Sequence, residues 1–148
     1  MALTPWFARR LVLAGVLFMG CLVHPIAHAG DQRELVAMPD MMRNHMLANM
    51  RDHLVAINEI LVFLSTGELD KASDVAEQRL GMSALGGHGA SHMAKVMPQR
   101  MREIGTSMHR AASRFALRAE EGDAKAALMA LPEVTSACVA CHAGYRVQ

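Results

Sequence analysis

Residues 47–64 read LANMRDHLVAINEILVFL, and large apolar side chains recur along them at alternating intervals of three and four residues. This spacing is typical of one face of an amphipathic α-helix. The predicted face consists of Leu47, Met50, Leu54, Ile57, Leu61 and Leu64. We expect the helix to begin near Pro39 and Asp40 and to end before Gly67, because proline and aspartate favour helix starts and glycine favours helix ends.

Three more amphipathic segments follow this helix. The second extends from about Leu69 to Leu80, and Pro98 opens the third. Asp123 is the expected N-cap of the fourth, which Pro132 is expected to kink or split. The apolar positions of the last two segments are Met101, Ile104, Met108, Ala112 and Phe115, then Leu128, Leu131, Val134, Cys138, Cys141 and Tyr145. No alternating run of strand length occurs, so the sequence predicts an all-α fold, an antiparallel four-helix bundle.

The composition limits the class of protein. The 148 residues suit one domain, and a formal net charge of +1 argues against nucleic acid as the main partner, since phosphate binding needs a basic excess. Thirteen methionines stand against four phenylalanines, one tryptophan and one tyrosine. A core so poor in aromatic rings must be filled by methionine, leucine and alanine, or by a group that is not an amino acid.

The first residues have the features of a secretory signal peptide. Arg9 and Arg10 precede an apolar run that extends to Val23, and a small-x-small pattern ends at Ala29. We therefore predict a leader over residues 1–29 that is cleaved after Ala29. The apolar run is shorter than the ~20 residues that span a bilayer, which disfavours a membrane anchor.

The predicted mature chain, residues 30–148, is one domain that resides in the periplasm. Cys21 belongs to the leader, where lipidation is a minor alternative, so the mature chain keeps only Cys138 and Cys141. Three cysteines are too few for a disulfide scaffold. The two remaining thiols are therefore candidates for a chemical role.

The strongest motif is CVACH, at residues 138–142. On a helix, Cys138, Cys141 and His142 fall on one face. The two thiols can add to the two vinyl groups of a haem, and the adjacent imidazole can then reach the iron as proximal ligand. Zinc would need another ligand pair, a redox Cys-x-x-Cys would normally open a helix after a strand, and a plain disulfide stays open as an alternative. The motif predicts one covalent haem c, attached through Cys138 and Cys141.

Residues 121–146 resemble the last helix of the cytochrome c-prime family, in which Cys-x-x-Cys-His near the C-terminus is commonly followed by x-x-Tyr-Arg. Only this segment is residue-specific, while the rest of the mature chain agrees in helix order. The resemblance implies an exported four-helix bundle in which Cys138 and Cys141 are the thioether sites and His142 is the axial ligand. It also implies that a homodimer is common.

The same resemblance gives roles to residues outside the motif. Arg146 would lie near the proximal imidazole, and Tyr145 would pack at the haem edge. In the first helix, Arg43 would face a haem propionate, and Leu47, four residues on, would lie over the distal face of the iron. That last position holds methionine in the low-spin members of the family and a bulky non-ligating side chain in the high-spin members.

The sixth ligand decides between two functions. With Leu47 over the iron and no distal ligand, a five-coordinate haem would bind a small gas, nitric oxide or carbon monoxide. With Met46 or Met50 as sixth ligand, or with His45 or His53, the haem would be six-coordinate and suited to electron transfer. No acid–base pair stands out near this site, which favours a carrier over an enzyme. The expected partners are redox proteins of the periplasm or of a membrane respiratory chain.

Other methionines and histidines allow a third function. Methionine recurs every four residues at Met42, Met46 and Met50 and again at Met93, Met97 and Met101. Thioethers select Cu(I), so a haem-free copper-binding protein is an alternative, although the filling of a core around a large cofactor is favoured. His88 and His92 have a metal-binding spacing only on a helix, and their glycine-rich surroundings predict a solvated loop. His109 is expected at the boundary of the core.

Overall fold

The computed structural model describes residues 30–148. The predicted leader and Cys21 lie outside the described residues. The elements are β1 (Glu34–Val36), α1 (Asp40–Thr66), α2 (Leu69–Arg79), a 3₁₀ helix (Met82–Leu85), α3 (Ala90–Met93), α4 (Gln99–Glu120), α5 (Ala124–Gly144) and β2 (Tyr145–Val147). The protein is mostly helical, which agrees with the predicted all-α class, and two short strands are added to it.

The ends of the long helices follow local sequence signals. Gly67 ends α1 in the left-handed conformation (φ 76°), which glycine adopts without steric cost. Pro98 directly precedes α4, and Asp123 caps α5 because its Oδ1 accepts a hydrogen bond from the Ala126 N–H at 2.9 Å. The expected split at Pro132 is wrong, since α5 continues through that residue as one helix.

The main core lies where α2 packs against α1 and α4, and where α4 packs against α5. Its buried residues are Ala56, Ile60, Ala72, Ala76, Leu80, Met108, Ala111, Ala112, Phe115, Ala116, Ala119, Ala127, Leu131 and Val134. Alanine supplies most of these positions, so the helices can approach each other closely. Phe115, fully buried, is the largest side chain among them.

The predicted buried face of α1 is partly wrong. Three leucines of that face are exposed, namely Leu47 (37%), Leu54 (72%) and Leu61 (46%). The side of α1 that faces the protein consists of Met42, Met46, Asn49, His53, Ala56 and Ile60, which are half-buried or buried. This row also has helical spacing, but it contains asparagine and histidine. Periodicity alone therefore selected the more apolar row, which lies at the surface.

The two strands join the start of the described chain to its end. β1 pairs with β2 in parallel, with Leu35 opposite Arg146. The Met38 N–H donates to the carbonyl of Gln148 at 3.1 Å, and the Gln148 N–H donates to the carbonyl of Val36 at 3.3 Å. Strands of three residues are too short to show a period, so these two could not be predicted from the sequence. The pairing fixes the segment that directly follows CVACH.

Candidate functional site

The CVACH motif forms the last turns of α5. Both cysteine side chains are half-buried, whereas His142 is exposed. The Cys138 thiol donates a hydrogen bond to the carbonyl of Val134, with 3.4 Å between Sγ and O. Within residues 30–148 neither Cys138 nor Cys141 forms a disulfide. The predicted attachment residues therefore lie together at one end of α5, with the thiols partly covered and the imidazole at the surface.

The thiols are held in their protonated form. Burial raises the pKa of Cys138 and of Cys141, and the proximity of Cys138 raises the pKa of Cys141 further. A redox-active Cys-x-x-Cys pair has a lowered pKa, which is often due to a helix N-terminus. This pair lies at the C-terminal end of α5, where the helix dipole disfavours a thiolate. The surroundings thus disfavour dithiol redox chemistry and remain compatible with two thioether bonds.

A second apolar core adjoins Cys141. Val36, Met38 and Met101 are buried in it, and the half-buried residues packed against it are Met42, Met46, Val96, Met97, Cys141, Tyr145 and Val147. We call its five methionines, Met38, Met42, Met46, Met97 and Met101, the methionine cluster. These side chains come from α1, from the segment before it, from the turn before α4, and from the start of α4. The two methionine rows of the sequence thus meet here, as core filling predicts.

Met46 and Met50, two candidates for the sixth ligand, differ in whether they belong to the core that contains Cys141. Met46 packs in the same core as Cys141, but among the described residues that core does not include Met50 or Leu47. Tyr145, three residues after the motif, also packs in this core, and its place at the edge of a haem stays a prediction. The structure therefore brings Met46 and Tyr145 to the motif and leaves Leu47 at the surface.

The two predicted arginines lie at opposite ends of the chain. Arg43 Nη2 is 3.1 Å from Asp40 Oδ1 in an ion pair on the first turn of α1, and its side chain is 33% exposed. Arg146 is half-buried in β2. A role for Arg43 at a haem propionate would require it to share or leave its pair with Asp40.

The motif lies next to uncovered apolar surface. Val139, between the two cysteines, is 68% exposed, and α5 also exposes Leu128 and Met129. Within residues 30–148, α5 alone is long and apolar enough to cross a membrane, with a mean hydropathy of 1.3, and little of that apolar stretch is buried. A large flat apolar group attached at the thiols would cover part of this surface, so the surroundings of the motif fit a haem.

Three histidines form a second site that the sequence did not predict. The ring centroids of His53 and His88 are 4.8 Å apart, those of His88 and His109 are 5.3 Å apart, and those of His53 and His109 are 6.1 Å apart. We call these residues the histidine cluster. His109 is buried, so its expected place at the core boundary is wrong, and His88 packs on the other rings rather than in a solvated loop.

The histidine cluster was not visible in the sequence because its members come from separate elements. His53 lies on α1, His109 lies on α4, and His88 lies in the turn before α3. The only regular spacing, His88 with His92, was misleading, because His92 is exposed. A polar residue in the buried row of α1 was the available signal, and His53 supplies it.

Comparison with protein-family models, with curated proteins and with solved structures finds no match for this chain. Function must therefore be inferred from the motif, the methionine cluster and the histidine cluster.

Proposed function

We propose that this protein is a periplasmic c-type cytochrome that transfers single electrons, with one haem c bound through Cys138 and Cys141. The observation that carries the proposal is the CVACH motif, whose two thiols are unbridged, protonated and half-buried. Cys141 packs against the core that contains the methionine cluster, and Cys138 packs against the main core. A bound haem would supply one-electron chemistry at its iron. The residues of the chain attach it, orient it and exclude water from it.

In this proposal the proximal ligand of the haem iron comes from α5 and the distal ligand comes from α1. His142 follows Cys141 directly, and its exposed imidazole is free to turn toward a group on the two thiols. On α1, Met46 is the proposed sixth ligand, because it packs in the same core as Cys141. A thioether ligand and an apolar shell both raise the reduction potential of a haem, which suits an electron carrier.

The proposal includes the finer arrangement of the helices and the partners. In it, α1, α2, α4 and α5 form an antiparallel four-helix bundle, and residues 1–29 direct export. The exposed Leu47, Leu54 and Leu61 follow one another at intervals of seven along α1 and support a homodimer through this helix. Redox proteins of the periplasm or of a membrane respiratory chain would exchange electrons with the haem.

The test is to express the full chain in a bacterium that attaches haem c and to examine the purified protein. We expect haem to remain with the chain after denaturation, and we expect a low-spin spectrum in the ferric protein. Denatured chains without haem would overturn the proposal and leave the copper-binding alternative. A high-spin ferric spectrum, with binding of nitric oxide or carbon monoxide, would instead support the gas-binding alternative and overturn the role of Met46.

A further inference from the structure

The histidine cluster has the dimensions of a metal site. A zinc ion lies about 2.0–2.1 Å from each imidazole nitrogen, which places the ring centroids of neighbouring ligands roughly 5 Å apart in a tetrahedral site. The observed separations are 4.8, 5.3 and 6.1 Å. His53 with His88, and His88 with His109, are thus as close as imidazoles that share one ion, and the third pair is about 1 Å further apart. The three residues belong to three separate elements.

In two of the rings, those of His109 and His53, the Nε2 atom has a lone pair that is available to a metal ion. The Nδ1 of His109 lies 2.7 Å from the carbonyl oxygen of Leu80, so this nitrogen donates its N–H and Nε2 keeps its lone pair. Metal-binding histidines commonly donate their other ring N–H to a backbone carbonyl in this way. The Nε2 of His53 is buried, and within residues 30–148 it has no hydrogen-bond partner. A buried imidazole nitrogen without a partner is costly unless something binds it.

The third ring is held in place by the turn before α3. The backbone N–H of His88 donates to the backbone carbonyl of Ala84 at 3.0 Å. The side-chain amide of Asn49 donates to the backbone carbonyl of His88 at 3.3 Å. Gly89 follows with a left-handed φ of 62°, and a Cβ there would lie 3.4 Å from Nε2 of His45. The glycine thus lets the turn lie close to α1, which places His88 over His53.

Burial, with a smaller contribution from nearby charges, favours the neutral form of His53 and of His88. Burial, and then the proximity of His88 and His109, lower the pKa of His53 to about 4. Burial also lowers the pKa of His88, to which His109 and His45 contribute. Neutral imidazole is the form that binds metal ions. Asp52 also interacts with His53 and His88, but its carboxylate is paired with the Arg79 guanidinium, so a cation would be bound by the imidazoles and not by this carboxylate.

We propose that His53, His88 and His109 bind one divalent transition-metal ion of the zinc type, at a site distinct from the haem-attachment motif. Imidazole nitrogen suits zinc, copper and nickel rather than magnesium or calcium. As the rings stand, no group of three His, Cys, Asp or Glu side chains within residues 30–148 could hold a metal ion, so the proposed site requires the rings to turn. Rotation of the rings toward a common centre completes the site, and it leaves a fourth position for water.

The test uses Co²⁺ as a spectroscopic probe for zinc, with the purified protein in its native haem state. We expect one Co²⁺ per chain, visible absorption bands of a tetrahedral ion, and their loss when Zn²⁺ is added. The variants His88→Gln and His109→Gln should bind at least tenfold more weakly, since each removes a ligand. The matched control is His92→Gln, which removes an exposed histidine outside the cluster and should leave binding unchanged.

Two results would overturn this proposal. The first is no Co²⁺ binding by a wild-type protein that melts cooperatively. The second is equal binding by the wild type and the two variants, with cooperative melting to show that they fold. A haem spectrum that changes in His53→Gln would assign this residue to the iron and would also contradict the metal site. Haem that survives denaturation is measured separately, so failure of this proposal is distinguishable from failure of the proposed cytochrome function.

Discussion

The methionine cluster and the histidine cluster share one helix but differ in chemistry. Met46 and His53 lie seven residues apart on α1, about two turns along the same side. The core around Met46 consists mainly of thioether and valine side chains, which are apolar and do not titrate. Around His53 the neighbours are two further imidazoles, which are rigid and sensitive to pH. α1 thus contributes to the methionine cluster at Met46 and to the histidine cluster two turns further on, at His53. Substitutions can perturb the two clusters separately.

The largest expected effect is on the end of the chain that carries the motif. In a double variant with Cys138→Ser and Cys141→Ser, covalent haem should be lost completely, because no thiol of the mature chain is left to form a thioether. Haem staining after denaturation measures this. The control Cys21→Ser should keep its haem. The attachment residues would be wrong if the double variant retained covalent haem, and Co²⁺ binding at the histidine cluster should be unaffected in either case.

The histidine cluster should make the protein sensitive to acid. His53 titrates near its ordinary pKa of 6.5 when unfolded but only at about 4 when folded, so the unfolded chain binds the proton first as the pH falls. Stability is therefore complete above pH 6.5 and is lost toward pH 4, by up to about 3 kcal/mol from this residue. The lowered pKa of His88 also makes the folded protein less stable as the pH falls.

Urea unfolding at several pH values measures this loss. The groups that interact with His53 include Asp52, whose charge opposes the shift, and Arg79, whose charge adds to it. A His53→Leu variant should show a shallower decline of the free energy of unfolding between pH 6.5 and pH 4, and His92→Gln should decline like the wild type. An unchanged slope in His53→Leu would show that the cluster does not control acid stability.

A smaller effect is expected at the methionine cluster. Met46→Leu and Met50→Leu conserve volume and should each cost less than about 1.5 kcal/mol of stability. Only Met46→Leu should change the spin state of the haem, because Met46 belongs to the same core as Cys141 and Met50 does not. Absorption spectra of the two ferric variants make the comparison. A change of spin state in Met50→Leu alone would assign the sixth ligand to Met50, one turn further along α1.

The smallest effect on stability is expected at the exposed row of α1. Leu54 is 72% exposed, so Leu54→Lys should change the free energy of unfolding by no more than about 0.5 kcal/mol. It should nevertheless weaken the proposed homodimer, which size-exclusion chromatography over a range of concentrations would show. Leu128→Lys, at an exposed leucine of α5, is the matched control. Equal behaviour of both variants would remove α1 from the dimer interface.

The sequence was informative where local chemistry decides the structure. Helix ends at Gly67 and Asp123 depend on a backbone conformation and on a single hydrogen bond, so they could be predicted. The CVACH motif could be recognised because its two cysteines and its histidine are close in sequence. The buried side of α1 could not, because two rows have helical spacing and tertiary packing chose the row with His53. Likewise, only the tertiary fold brings His88 to His53.

The pairing of β1 with β2 has a consequence for the order of folding. It is a contact between the two ends of the described chain, so it cannot form until β2 has been synthesised. The helices can form earlier from local contacts, whereas β2, which directly follows CVACH, stays unpaired until the end. We expect the two thiols to be accessible to the haem-attachment apparatus during that interval, before strand pairing closes the chain around them.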